Sequence, residues 1–133
     1  MISSIRHVGF VVSDLENSLK FYSDILGLKI YRRFIEEGDF IDSLTGIKNV
    51  KLEWAKLIIP QGGLIELLQY HSHPEQKEIA NQKSNRLGHS HLAFSVDDID
   101  SICEKIEKIG GSVVNLPALT RDKKIKVAYC HDI

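Results

Sequence analysis

The chain has 133 residues, 43% of them hydrophobic and 26% charged, with a formal net charge of −1. That is the composition of an ordinary globular protein of one domain or two small fused modules. It offers no basic surface for nucleic acid and no apolar run of the length that spans a membrane as a helix. The N-terminus, MISSIRHVGF, lacks the charged and apolar stretches of a secretion signal. The two cysteines, Cys103 and Cys130, form no CxxC pair. A reducing cytoplasm is therefore the expected location, with neither a zinc knuckle nor a disulfide framework.

In chain order, the first element predicted is a strand over residues 5–12. Val8, Phe10 and Val12 share one face, and Ile5, His7, Gly9 and Val11 share the other. The bulky set suits packing under a helix, and the set containing His7 and Gly9 leaves room for a ligand. A helix follows, capped by Ser13 or Asp14, with Glu16 completing a capping box. Its apolar stripe is Leu15, Leu19, Tyr22 and Leu26, and Gly27 ends it. Three strands are expected next, at roughly 28–35, 49–59 and 63–70. Residues 36–48 read as a loop, and the polar, Pro74-containing segment 71–86 reads as a linker.

The same grammar then returns 84 residues later, without a gap. HVGFVVSDLENSLKFYSDILG at 7–27 is matched by HLAFSVDDIDSICEKIEKIGG at 91–111. His7 falls on His91, Phe10 on Phe94, Val12 on Val96, Asp14 on Asp98 and Gly27 on Gly111. The second copy thus predicts a strand at 91–96 and a helix capped by Asp97 or Asp98. The helix has the stripe Ile99, Ile102, Ile106 and Ile109 and ends at Gly110-Gly111. Strands at 112–116 and 125–130 follow. The reading divides the chain into a first module (1–70), a linker (71–86) and a second module (87–133).

Three residues stand out as candidate chemistry. A lone strand histidine is usually structural, but His7 has a counterpart in His91. His89, two residues earlier on the same strand face, competes for that role; His91 is preferred because it alone matches His7. Glu66 lies in LIELL, apolar on both strand faces. A carboxylate buried there is costly unless paired or metal-bound, and no basic partner is evident nearby. Two imidazoles and a carboxylate suit zinc, nickel, cobalt, iron or manganese without selecting one. The remaining candidates take blander readings. His71 and His73 are expected in a solvated linker, Cys103 as a small core residue, and Trp54 and Tyr70 as packing or cavity wall. Asp97, Asp98 and Asp100 favour a helix start rather than a calcium loop.

The segments HVGFVVSDLENSLKFYSDILGLKI, LIELLQY and GHSHLAFSVDDID resemble the vicinal oxygen chelate superfamily, which includes glyoxalase I, methylmalonyl-CoA epimerase, bleomycin-resistance proteins and extradiol dioxygenases. The resemblance runs from about residue 3 to the end. It implies an α+β fold of two tandem βαβββ modules, forming a cup-shaped, partly open mixed sheet with helices outside. It also implies a divalent metal held by His7, Glu66 and His91, with Glu66 serving as catalytic base. The fourth ligand of the family, a glutamate on the last strand, has no counterpart: no glutamate follows Glu107, and Glu66 shifted by the repeat falls beyond Ile133. The second module is therefore expected to lack its last strand, with Asp132 at the corner that would lead into it and His131 as a weak substitute ligand. The activity implied is metal-dependent lyase or isomerase chemistry on a small oxygenated substrate. The alternatives are an extradiol-type dioxygenase and a non-enzymatic, resistance-type binder. A homodimer is expected by analogy, with no nucleic-acid or membrane partner.

Overall fold

The computed structural model describes residues 2–74, 85, 88 and 91–133. The chain forms two compact units, Met1–Glu75 and Gln76–Ile133.

Unit 1 contains β1 (His7–Val11), α1 (Leu15–Leu19), β2 (Lys29–Glu36), α2 (Asp39–Thr45), β3 (Leu52–Ile58) and β4 (Leu64–Tyr70). The four strands make one mixed sheet in the order β1-β4-β3-β2. β1 runs parallel to β4, and the other neighbours are antiparallel. Because side chains alternate across a sheet, each strand contributes to two faces. One face carries Phe10, Ala55, Leu57, Ile65 and Leu67 and packs under α1. Leu15, Ala55, Leu57, Ile65 and Leu67 are all fully buried, and the Phe10 ring stacks on Tyr22 at 6.2 Å. Gln69 fixes the helix start: its Oε1 accepts from Leu15 N at 2.8 Å and its Nε2 donates to Ser13 O at 3.1 Å.

Asp14 is the N-cap of α1, accepting from Asn17 N at 3.0 Å. The capping box expected of Glu16 does not form. With Asp14 as cap, Asn17 holds the third helical position, and Glu16 pairs instead with Arg33. α1 continues as a π-helical stretch, Lys20–Ile25.

Residues 36–48 are not simply a loop, since α2 lies within them. Asp42 accepts from Asn49 N and Val50 N at 2.7 and 2.9 Å, and Gly46 closes the helix at φ 73°. The helix forms because Ile41 can be buried with Val50 and Leu52, against Trp54, Leu68 and Tyr70. Those last residues belong to the other sheet face, so α2 covers one end of it.

Unit 2 contains α3 (Ile99–Lys108) and four two-residue strands: β5 (Ser112–Val113), β6 (Ala118–Leu119), β7 (Lys126–Val127) and β8 (Cys130–His131). β5 pairs with β8, and β6 with β7. Asp98 caps α3 through Ser101 N at 3.0 Å, as Asp14 caps α1. The buried face of α3 is Cys103 and Ile106, with Ile99, Ile102 and Ile109 half-buried beside it. The strands expected at 112–116 and 125–130 are shorter than predicted. The strand expected at 91–96 is not hydrogen-bonded as a strand. Its equivalent in unit 1, β1, is laddered among the described residues to β4, and no described segment of unit 2 takes the place of β4.

Candidate metal centre

The second face of the unit 1 sheet is built by register. Lys56 of β3 lies opposite Glu66 of β4, and Glu66 lies opposite Gly9 of β1. His7, two residues before Gly9, shares that face. His7 Nε2 sits 3.0 Å from Glu66 Oε2, and Lys56 Nζ sits 3.1 Å from Glu66 Oε1. The Glu66 side chain is 12% exposed, His7 34% and Lys56 21%. Opposite Glu66, Gly9 leaves room for the Leu68 side chain: a Cβ there would come within 3.3 Å of Leu68 Cδ1.

The sequence reading found no basic partner for Glu66, and Lys56 corrects it. The hairpin register supplies the reason. Ile59 N donates to Gly63 O, and Gln61 and Gly63 take positive φ at the tip. Lys56 and Glu66 are equidistant from Gln61 and therefore meet. Alternation in KLEWAKLI, together with that turn, was the available signal.

His7 and Glu66 are in direct ion-pair or hydrogen-bond contact, and their separation is also one that two ligands of a single divalent ion can take. Two ligands about 2.1 Å from one metal stand roughly 3.0 Å apart at a right angle and roughly 3.4 Å apart in a tetrahedron. The observed separation of His7 Nε2 and Glu66 Oε2 falls at the first value. Among the described residues of unit 1 the pair has no third His, Cys, Asp or Glu beside it.

His91 belongs to unit 2, where its ring stands edge-on to Tyr129 at 5.6 Å. His131 shares a hydrogen bond with Ser112 Oγ, Nδ1 to Oγ being 3.1 Å. His89 lies outside the described residues. His71 is not simply solvated: its Nε2 is 2.8 Å from Glu53 Oε2. Glu53 also accepts from Arg33 Nε at 2.7 Å, and Arg33 reaches Glu16. Burial pushes the Glu53 carboxyl up, but hydrogen bonds from His71 and Arg33 prevail and hold it below its usual value. Cys103 is buried in unit 2, as expected. Burial, and then the neighbouring Cys103, push the Cys130 thiol up to about 11.

The sequence pattern of the Glyoxalase/Bleomycin resistance protein/Dioxygenase superfamily matches residues 4–132. The chain belongs to that superfamily. It is 32% identical to a lactoylglutathione lyase of Schizosaccharomyces pombe over 96% of its length, covering 43% of that protein. It is 29% identical to a probable lactoylglutathione lyase of Synechocystis, with 96% of this chain and 86% of that one aligned. The chain thus spans less than half of the fission-yeast relative and most of the cyanobacterial one. Among solved structures, a glyoxalase family protein from Bacillus cereus superposes with a TM-score of 0.88 at 25% identity, over 98% of this chain and 87% of that one.

Proposed function

We propose that this chain is a metal-dependent, glyoxalase-type lyase or isomerase that moves a proton on a small oxygenated substrate. The observation that carries the reading is the His7–Glu66 pair, set at ligand spacing on one face of the sheet. The likeness to proteins named lactoylglutathione lyase favours lyase chemistry over oxygenase or purely binding roles. In this reading His7, Glu66 and His91 hold the ion, which would be zinc, nickel, cobalt, iron or manganese. When bound, such an ion stabilises negative charge developing on a substrate oxygen.

The protein's own residues do the rest. Lys56 donates to Oε1 of Glu66 and leaves Oε2 as the atom turned toward His7. Glu66 is thereby oriented both as ligand and as the base that takes up a proton. A homodimer is part of the same reading.

Elemental mass spectrometry of the purified protein tests it. We expect close to one metal ion per chain, lost in both Glu66→Ala and His91→Ala. Glu66→Gln is expected to lower turnover by about 100-fold or more. A parent protein that holds no metal even after reconstitution would overturn the metalloenzyme reading. Full metal content in His91→Ala would remove His91 from the ligand set.

A further inference from the structure

β2 places two adjacent arginines on opposite faces of the unit 1 sheet, and their surroundings differ. Arg33 is saturated: it pairs with Glu16 and Glu53 on the helix-covered face. Arg32 lies opposite Lys56 in the register, on the face that carries His7 and Glu66. Among the described residues it has no carboxylate partner. Its guanidinium lies instead over two rings, 5.8 Å from the centre of Phe34 and 6.0 Å from that of Trp54. Lys56 approaches the same indole, its Nζ 4.5 Å from the ring centre. Two cations therefore share one aromatic platform, and one of them also touches the candidate metal ligand Glu66.

The platform is fixed. Trp54 Nε1 donates to Glu36 Oε1 at 2.9 Å, and the cluster around Ile41, Val50 and Leu52 packs against Trp54. The Glu36 carboxylate is thus engaged in orienting the ring. Stacking on an aromatic face leaves the edge of a guanidinium, with its fork of N–H donors, available to a ligand. An ammonium has three donors, of which Lys56 commits one to Glu66 and turns toward the indole. An exposed guanidinium and a half-buried ammonium with spare donors, beside an aromatic floor, suit a carboxylate better than a neutral group.

We propose that Arg32, Trp54 and Lys56 form a recognition subsite for the carboxylate of a small organic acid, set beside Glu66. This rests on the function proposed above and narrows it, since the substrate becomes an anion whose reacting carbon lies close to its carboxylate. A carboxylate held at about 2.8 Å from Lys56 Nζ is within one or two bonds of the reach of Glu66.

Trp54 is the only tryptophan in the chain, so its fluorescence reports on the subsite directly. The protein as purified is titrated with butyrate and, separately, with its neutral isostere butyramide, at constant ionic strength in chloride. We expect a saturable change with butyrate in the millimolar range and none with butyramide. Arg32→Gln and Lys56→Gln should each weaken binding about tenfold or more, with Arg32→Lys falling in between because charge remains while the fork is lost. Thermal unfolding of each variant checks that it is folded, and Arg32→Lys decides if Arg32→Gln is not. A butyrate response no different from added chloride overturns the proposal, as does undiminished binding in folded Arg32→Gln. Metal content is measured on the same samples. Butyrate binding without metal leaves the subsite standing and fails the metal reading; metal without butyrate binding does the reverse.

Discussion

Glu53 and Glu66 are carboxylates on opposite faces of one sheet, and each meets the cost of burial with a different set of cations. Glu53 is 8% exposed and ties β3 to β2 and α1 through Arg33, and to the residue after β4 through His71. Its folded pKa lies below its unfolded value of about 4.3. The stability it contributes is therefore complete above about pH 4.3 and is lost as pH falls through the lower folded value. Glu53→Gln should cost about 2 kcal/mol at pH 7, the range for hydrogen bonds to a charged group. Chemical denaturation of parent and variant from pH 7 down to pH 3 checks this, and the gap should narrow below about pH 4. A gap that stays constant with pH would show that the charge contributes nothing. Glu66 likewise has two partners, His7 and Lys56, and its side chain is buried to the same degree, 12% exposed against 11% for Glu53.

At the scale of elements, the two repeats share a start and differ at the end. Asp14 and Asp98 cap their helices with near-identical backbones, φ −142° and −138°. Sequence alignment pairs Gly27 with Gly111, but the left-handed residue that matches Gly27 is Gly110, at φ 100° against 73°. The first helix is one residue longer, and its π-helical stretch takes up the extra residue through the bond from Leu26 N to Phe21 O. Gly111 has a different task. A Cβ there would stand 2.7 Å from His131 O and from Ile106 Cγ2, where α3 meets β8. Gly111→Ala should therefore cost about 1–3 kcal/mol. Gly62→Ala, with nothing within 4 Å of its Cβ, should stay within about 0.5 kcal/mol. Equal melting temperatures for the two variants would mean that the close approach is relieved without cost.

At the scale of the whole molecule, strand edges and apolar side chains create a need for cover. Among the described residues β1 is laddered to β4 alone, and the segment 91–96 has no ladder. Large apolar side chains remain exposed, among them Ile5 at 77%, Phe40 at 73% and Leu116 at 88%. Exposed strand edges and apolar side chains are covered by association in many proteins. The homodimer we propose predicts a sedimentation mass of about twice 15.1 kDa at micromolar concentration. A mass of one chain across the concentration range would exclude it.

Local and periodic features were legible in the amino-acid sequence. Alternation around His7 and in LIELL, the repeated Asp caps and the helix stripes all depend on near neighbours, and together they led to the α+β fold and the superfamily. The candidacy of His7 and Glu66 was legible for the same reason, because a histidine on a repeated strand and a carboxylate in an apolar one stand out locally. Long-range partnership was not legible. That Lys56 faces Glu66, that His71 faces Glu53, and that Arg32 is left to the aromatic rings while Arg33 takes both carboxylates are consequences of strand register and bulges. α2 escaped for a related reason, since a seven-residue helix is too short to hold itself and exists because Ile41 finds Val50 and Leu52 to pack on. The strand pattern at 91–96 shows the converse. Alternation marks a segment that can be a strand, but only a neighbouring strand can supply the hydrogen bonds that make it one.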